Sequence, residues 1–251
     1  MPYLDLNCDL GESFGAYTIG CDEQVIPYIT SANIACGYHA GDPTVMHRSV
    51  ELCCRYGVQV GAHPGLPDLA GFGRRRMQIT PAEAADCVAY QIGALRAFCD
   101  EVGVPLHHVK PHGALYNMAA KDRPLADALC RAVQKAAPGA ILLALSGSEM
   151  EAAAQAIGLP VACEVFADRG YRPDGTLVPR GTPGAMIEDE TQAIARVVRM
   201  AREGKVTACD GSQVELRADS VCVHGDGPKA LAFVEKLREA LPADGITLRA
   251  F

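Results

Sequence analysis

Short apolar runs rich in β-branched residues alternate along the chain with longer stretches of helical period. The runs 3–7, 31–35, 58–62, 106–110, 140–145, 161–166 and 220–223 are predicted strands. The stretches near 44–56, 81–102, 122–137, 148–157, 187–203 and 228–241 are predicted helices. Such alternation predicts an α/β fold in which βα units surround a parallel sheet. Thr80-Pro81-Ala82-Glu83 carries an N-cap, a proline at the first helical position and a capping-box glutamate, and Gly103 should close that helix. The segments RPDGTLVPRG and VTACDGSQVELRA, between the sixth and seventh strands, read as small hairpins because Asp-Gly favours a tight turn. No internal repeat, low-complexity segment or interdomain linker is visible, so residues 1–251 are expected to form a single domain.

The polar residues that interrupt the apolar pattern gather at the carboxyl ends of the predicted strands. They are Asn7 and Asp9 after the first, His39 and Asp42 after the second, His63 after the third, and Lys110 and His112 after the fourth. Glu164, Asp168 and Arg169 follow the sixth, and His224 and Asp226 the seventh; the fifth ends blandly at Ser146. In parallel α/β folds this is where ligands bind and chemistry occurs. Side chains alternate across a strand, so Asp5, Asn7 and Asp9 share one face and Leu4, Leu6 and Cys8 the other. The apolar set should pack under the helices and the polar set face inward. Asn33 with His39, Gln59 with His63, Lys110 with His112, and Glu164 with Asp168 keep the same parity if the strand ends stay extended. A buried polar side chain without a partner costs about 1–3 kcal/mol, so this many converging on one mouth point to a site. The mouth is expected to be solvated, with folding tolerant of substitution there. His47, His107 and His108 read as surface or structural residues.

Composition narrows the function classes. At 251 residues, 49% hydrophobic and 21% charged, without a long apolar run, the chain reads as a soluble globular protein with no membrane span. The N-terminus lacks the features of a secretory signal, and a cytoplasmic location is expected. A net charge of −7 argues against nucleic acid as a partner. The cysteines number 11, an odd count without a CxxC pair, and should be reduced thiols. Cys87 and Cys99 in one helix, and Cys163 and Cys222 in strands, are expected to act as small hydrophobes.

Seven stretches, DLNCDLGESFG (5–15), SANIACGYHAGDP (31–43), GAHPGLPDLAGFGRR (61–75), VKPHGALYN (109–117), EVFADRGY (164–171) with GTLVPR (175–180), and CVHGD (222–226), together resemble the LamB/YcsF family. The resemblance spans nearly the whole chain in order. Tyr38 and Leu66 stand where the family usually carries Phe and Tyr, and Leu66 is the one that would alter a pocket lining. The resemblance implies a (β/α) barrel of about seven parallel strands, similar to glycoside hydrolase/deacetylase barrels. It also implies ATP-dependent opening of the 5-oxoproline lactam to L-glutamate, with ATP and Mg2+ as cofactors and the B and C subunits of 5-oxoprolinase as partners.

Such a reaction needs a general base, a proton donor for the ring nitrogen, and cations for phosphate and carboxylate. On the strength of the resemblance, Asp9 and Glu164 are candidate bases, and His39 and His63 candidate acid/base groups. Lys110 and Arg169 are candidate anion holders, and His112, like His224, could orient or protonate the leaving nitrogen. Asn7, Asn33, Asp42, Arg74, Asp168, Arg169, His224 and Asp226 are candidates for binding substrate or phosphate. The glycines of CGYHAGD and of Gly71-Phe72-Gly73 could let backbone amides approach an anion. No GxxxxGK[ST] loop occurs, so the question of which subunit binds the nucleotide stays open. This reading assigns no metal. Two alternatives remain: a metal-dependent hydrolase or deacetylase using Asp9, His39 and His63, and a binding or regulatory module whose partners do the chemistry.

Overall fold

The computed structural model describes residues 2–224 and 230–251, with the side chains of His224 and Ala230 excepted. Seven parallel strands close into a barrel: β1 (Tyr3–Leu10), β2 (Ser31–Ala35), β3 (Gln59–His63), β4 (Leu106–Val109), β5 (Ile141–Leu145), β6 (Val161–Phe166) and β9 (Ser220–His224). The closure is the pairing of β9 with both β6 and β1. Around the barrel lie α1 (Asp22–Val25), α2 (Pro43–Tyr56), α3 (Pro81–Val102), α4 (Gly113–Ala119), α5 (Arg123–Ala136), α6 (Glu149–Ile157), α7 (Glu190–Glu203) and α8 (Ala230–Ala243). An antiparallel hairpin of β7 (Lys205–Thr207) and β8 (Gln213–Glu215) turns at Asp210-Gly211, and a single bridge joins Tyr171 to Leu177. These are the two insertions expected from their Asp-Gly turns. A short β10 (Thr247–Leu248) pairs with the start of β1.

Five of the helices start where the chain supplies a side-chain cap. Asp42, Thr80, Asp122, Ser148 and Asp189 each accept a hydrogen bond from a backbone N–H in the first turn, and Thr80 with Glu83 forms the full capping box. α2, α3, α6 and α7 end on glycines in the left-handed region. Besides the short α1 and β10, which the pattern did not predict, two elements differ from expectation. β1 runs three residues beyond 3–7, since its polar residues Asn7 and Asp9 face inward and the ladder to β2 continues through Leu10. α4 follows directly on the fourth strand, in a stretch where Pro111 and Gly113 read as breakers.

The parity expected of β1 is observed. Leu4, Leu6, Cys8 and Leu10 join one buried apolar cluster with Val88, Ile92 and Leu95 of α3 and Leu129 and Val133 of α5. The opposite face fills the barrel with polar groups in tiers. At the bottom Asp5 accepts hydrogen bonds from Thr30, Ser31 and Ser220. Above it Asn7 donates to Ser220 Oγ at 2.7 Å and accepts from Asn33 Nδ2 at 2.8 Å. His108 reaches in from β4 and donates from Nε2 to Asn33 Oδ1 at 2.8 Å. It fits because position 61 is glycine: a Cβ there would lie 2.1 Å from His108 Nε2. Among the residues set aside in sequence as surface or structural, His108 is thus a fully buried part of the interior.

Burial, reinforced by Glu164, raises the Asp5 carboxyl from 3.8 to about 6 despite its three hydroxyl donors. The folded chain therefore binds this proton more tightly than the unfolded one. The stability it contributes is full below about pH 4 and lost as pH rises through about 6, amounting to about 3 kcal/mol. Asp5→Asn removes the titration. The stability of the wild type minus that of the variant should fall by about this amount between pH 4 and 7 in urea titrations; a difference that stays level with pH would contradict the assignment.

Candidate functional site

Above the Asn7–Asn33 tier the barrel opens into a cavity of about 810 Å3 lined by Asp9, His63, Lys110, His112, Tyr116, Phe166 and Arg169 among others. Lys110 leaves β4 still hydrogen-bonded to the neighbouring strand, its amide donating to Ala62 O at 2.9 Å. Its ammonium is 3.0 Å from Asp9 Oδ1 and 2.7 Å from Glu164 Oε1, and it also donates to Asn7 Oδ1 and Cys222 Sγ. Burial opposes this charge, but Asp9, Cys222 and Glu164 outweigh burial and hold the lysine above its usual range. Cys222 is therefore a partner of the site lysine as well as a packing residue. Glu164 is wholly buried beneath Lys110 and accepts from Tyr116 Oη at 2.8 Å.

The histidines come from the end of β3 (His63) and from the loops after β2 (His39) and β4 (His112). β2 stops at Ala35, so the extended parity expected for His39 fails. Instead the chain bends through Gly37 and Gly41, both at positive φ, and a Cβ at Gly41 would meet Ala35 O and Gly11 O at 2.9 Å. His63 Nε2 lies 3.3 Å from Asp9 Oδ2 and 2.9 Å from His112 Nδ1. His39 stacks face to face on His112, with centroids 3.6 Å apart and planes 3° from parallel. Its Nε2 is 3.4 Å from Glu12 Oε1. Burial holds His39 well below its usual range, and burial with the neighbouring His63 takes His112 down to about 3; both are neutral at pH 7.

Of the site residues expected from sequence, Asp9, His63, Lys110 and His112 face the cavity, while His39 and Glu164 sit behind them as positioning residues. Asn7 and Asn33 belong to the interior tier and reach Asp9 or Lys110 from below. Arg74 lines the cavity over the ring of Phe72, 4.9 Å from its centroid. Arg169 lines it too, though its guanidinium donates to Val178 O and Ala185 O; burial and Arg180 lower its pKa to about 10. Asp42 is a correction: its carboxylate accepts from the amides of Val45 and Gly15, capping α2, and those bonds lower its pKa. Asp168 lies beyond β6 and is not among the cavity-lining residues. Asp226 and the side chain of His224 lie outside the described residues.

The glycine loops also differ from expectation. The amides of Gly37, Gly71 and Gly73 donate to carbonyls of their own loops, and Gly73 leaves space instead: a Cβ there would lie 2.7 Å from His39 Cβ and 2.8 Å from His112 Cδ2. Leu66 is fully buried in the apolar cluster and does not line the cavity.

Sequence reasoning missed Glu12, a buried carboxylate beside His39 and His112. It follows Gly11, past the reach of strand parity; the signal was a carboxylate in a glycine turn just beyond a strand bearing Asp9. It also missed the basic rim, where Arg76, Lys121, Arg123, Arg172 and Arg180 surround the opening. In a chain of net charge −7 this local excess of cations favours an anionic ligand.

Among the described residues no helix is long and apolar enough to cross a membrane. The 5-oxoprolinase A subunit of Bacillus licheniformis is 57% identical over 251 residues, covering 100% of this chain and 99% of that protein. The crystal structure of a lactam utilization protein from Thermus thermophilus superposes with a TM-score of 0.93 at 48% identity, covering 99% and 100% of the two chains. A family 4 carbohydrate esterase from Streptomyces lividans shares the fold alone, with a TM-score of 0.53 at 11% identity over 98% of this chain and 91% of that one. The model of the LamB/YcsF family matches residues 4–251. With identity this high over the full length and one barrel common to both structures, the chain belongs to the LamB/YcsF family.

Proposed function

We propose that this chain is the A component of an ATP-dependent 5-oxoprolinase and, with B and C subunits, opens 5-oxo-L-proline to L-glutamate. The observation that carries this reading is the full-length identity of 57% to a protein named as the corresponding 5-oxoprolinase component. The cavity supports it chemically. An unstrained lactam is a poor electrophile, and a phosphorylated carbonyl oxygen would make its carbon open to water. Asp9 faces the cavity as the candidate general base, 3.3 Å from the ring of His63, which lines the same wall. Lys110 supplies a fixed positive charge where the carbonyl oxygen becomes negative. The arginines of the rim suit the substrate carboxylate and a phosphoryl group. A nucleotide-independent amide hydrolase is the second reading, favoured by the carboxylate and histidines clustered at the mouth.

The two readings differ in a simple assay. The isolated chain should hydrolyse no 5-oxoproline, with or without ATP, whereas reconstitution with B and C subunits plus ATP and Mg2+ should restore glutamate formation and phosphate release. Sustained turnover by the chain alone without nucleotide would overturn the first reading in favour of the second.

A further inference from the structure

His63 and His112 are each locked into one tautomer by a backbone carbonyl. Lys110 O can only accept, so the hydrogen of its 2.8 Å contact is on His63 Nδ1; Phe72 O likewise places a hydrogen on His112 Nε2, at 2.8 Å. In the neutral rings the lone pairs therefore lie on His63 Nε2 and His112 Nδ1. Those two atoms face each other at 2.9 Å. Two acceptors this close repel unless a positive centre lies beside both. Carboxylates border the same point: Asp9 Oδ2 is 3.3 Å from His63 Nε2, and Glu12 Oε1 is 4.0 Å from His112 Nδ1. Glu12, His39, His63 and His112 are buried and bring one ligand atom each to within 4.8 Å of the others.

We propose that His63 Nε2, His112 Nδ1 and the Glu12 carboxylate bind one divalent cation of the zinc class, with Asp9 beside its open position. Tetrahedral bonds of about 2.0–2.1 Å set ligand atoms roughly 3.3 Å apart, between the 2.9 Å of the His63–His112 pair and the 4.0 Å of the Glu12–His112 pair, in a cluster whose ligand atoms all lie within 4.8 Å of one another. Two imidazoles with a carboxylate suit zinc, whereas magnesium and calcium take oxygen ligands. The carbonyls on the far nitrogens of His63 and His112 are the outer partners that orient metal-bound imidazoles. His39 is excluded from the set by geometry. Its ring is parallel to that of His112, so one ion cannot lie in both ring planes; it braces Glu12 instead, at 3.4 Å. The ligands thus differ from the Asp9, His39 and His63 triplet considered from sequence. Asp9, His63 and His112 line the cavity, so the ion would face whatever enters it.

The site does not depend on the lactam reading, and binding tests it without an activity assay. The full chain, stripped with chelator, is dialysed against Zn2+ alone, and a parallel sample is titrated with Co2+ and followed by visible absorption. One equivalent per chain is expected, with a four-coordinate nitrogen/oxygen cobalt spectrum lacking the thiolate charge-transfer band that the exposed Cys54 and Cys209 would give. His63→Ala and His112→Ala should each weaken binding about 100-fold or more. His47→Ala, which removes the surface group 4.0 Å from Glu51 and Glu101, should leave binding unchanged. No stoichiometric binding, or binding that survives both site substitutions, would overturn the proposal and leave a shared proton between the two rings. Should either variant fail to fold by circular dichroism, the wild-type cobalt spectrum decides: a six-coordinate or sulfur-ligated spectrum overturns the site.

Discussion

Lys110→Met should both destabilise the protein by about 3–5 kcal/mol and lower turnover of a reconstituted complex by about 100-fold or more. The side chain is 4% exposed, and it is the cation between Asp9 and the wholly buried Glu164. Methionine fills nearly the same volume, so the cost is electrostatic: two carboxylates lose the charge that offsets their desolvation. A loss of this size in a chain of about 250 residues lowers Tm by about 6–20 °C. Adding Glu164→Gln removes the deepest uncompensated charge, keeps an acceptor for Tyr116, and should recover much of the stability but none of the turnover. That split separates the two roles of the lysine. Retained stability in the single variant, or recovered turnover in the double one, would show that the ion pairs are not what matters at this position. The outcome would reverse an expectation from sequence, that substitutions at the mouth spare the fold, because the lysine, though it lines the cavity, is almost wholly buried between two carboxylates.

Much of the architecture was legible because the chain writes it locally. The alternation of apolar runs with helical stretches located all seven barrel strands, and the capping box at Thr80 set the start of α3 to the residue. Strand parity also identified the polar interior through Asp5, Asn7 and Asp9. What escaped depends on contacts between distant segments. His108 could not be recognised as an interior residue without knowing that Gly61 faces it across the β3–β4 pairing. Glu12 reaches the histidines only because the chain turns at Gly11 and the loop carrying His39 folds back over it. Asp42 was misread for a different reason. An aspartate directly before Pro43 at a helix start is a cap by local rules alone, and its place after a strand drew attention from that. Roles among the six candidate catalytic residues were likewise hidden, since only packing separates those that face the cavity from His39 and Glu164 behind them.

Asp9→Asn and His63→Ala should each reduce turnover of the complex by about 100-fold or more, with the fold preserved. Asp9 is the group on which the mouth converges: it accepts from Asn33 and Lys110 and sits 3.3 Å from His63. Asparagine keeps its shape and one acceptor oxygen for Lys110, which retains Glu164 as counter-ion, so the cost to stability should be only about 1 kcal/mol. What is lost is the charge that pairs with His63. Removing the His63 ring takes away the other half of that pair while leaving the Lys110 ion pairs in place. His47→Ala is the control, since that ring stacks on Phe98 at the outer surface and should be silent.

The most direct measurement is therefore kcat for glutamate formation by the complex reconstituted with Asp9→Asn, read beside its assembly with the other subunits and its melting curve. The expected result is turnover at about one hundredth of wild type or less, from a variant that melts and assembles normally. Turnover near wild type from the same well-folded complex would contradict the account, because the polar cluster at the barrel mouth would then be a structural network and the chemistry would lie elsewhere.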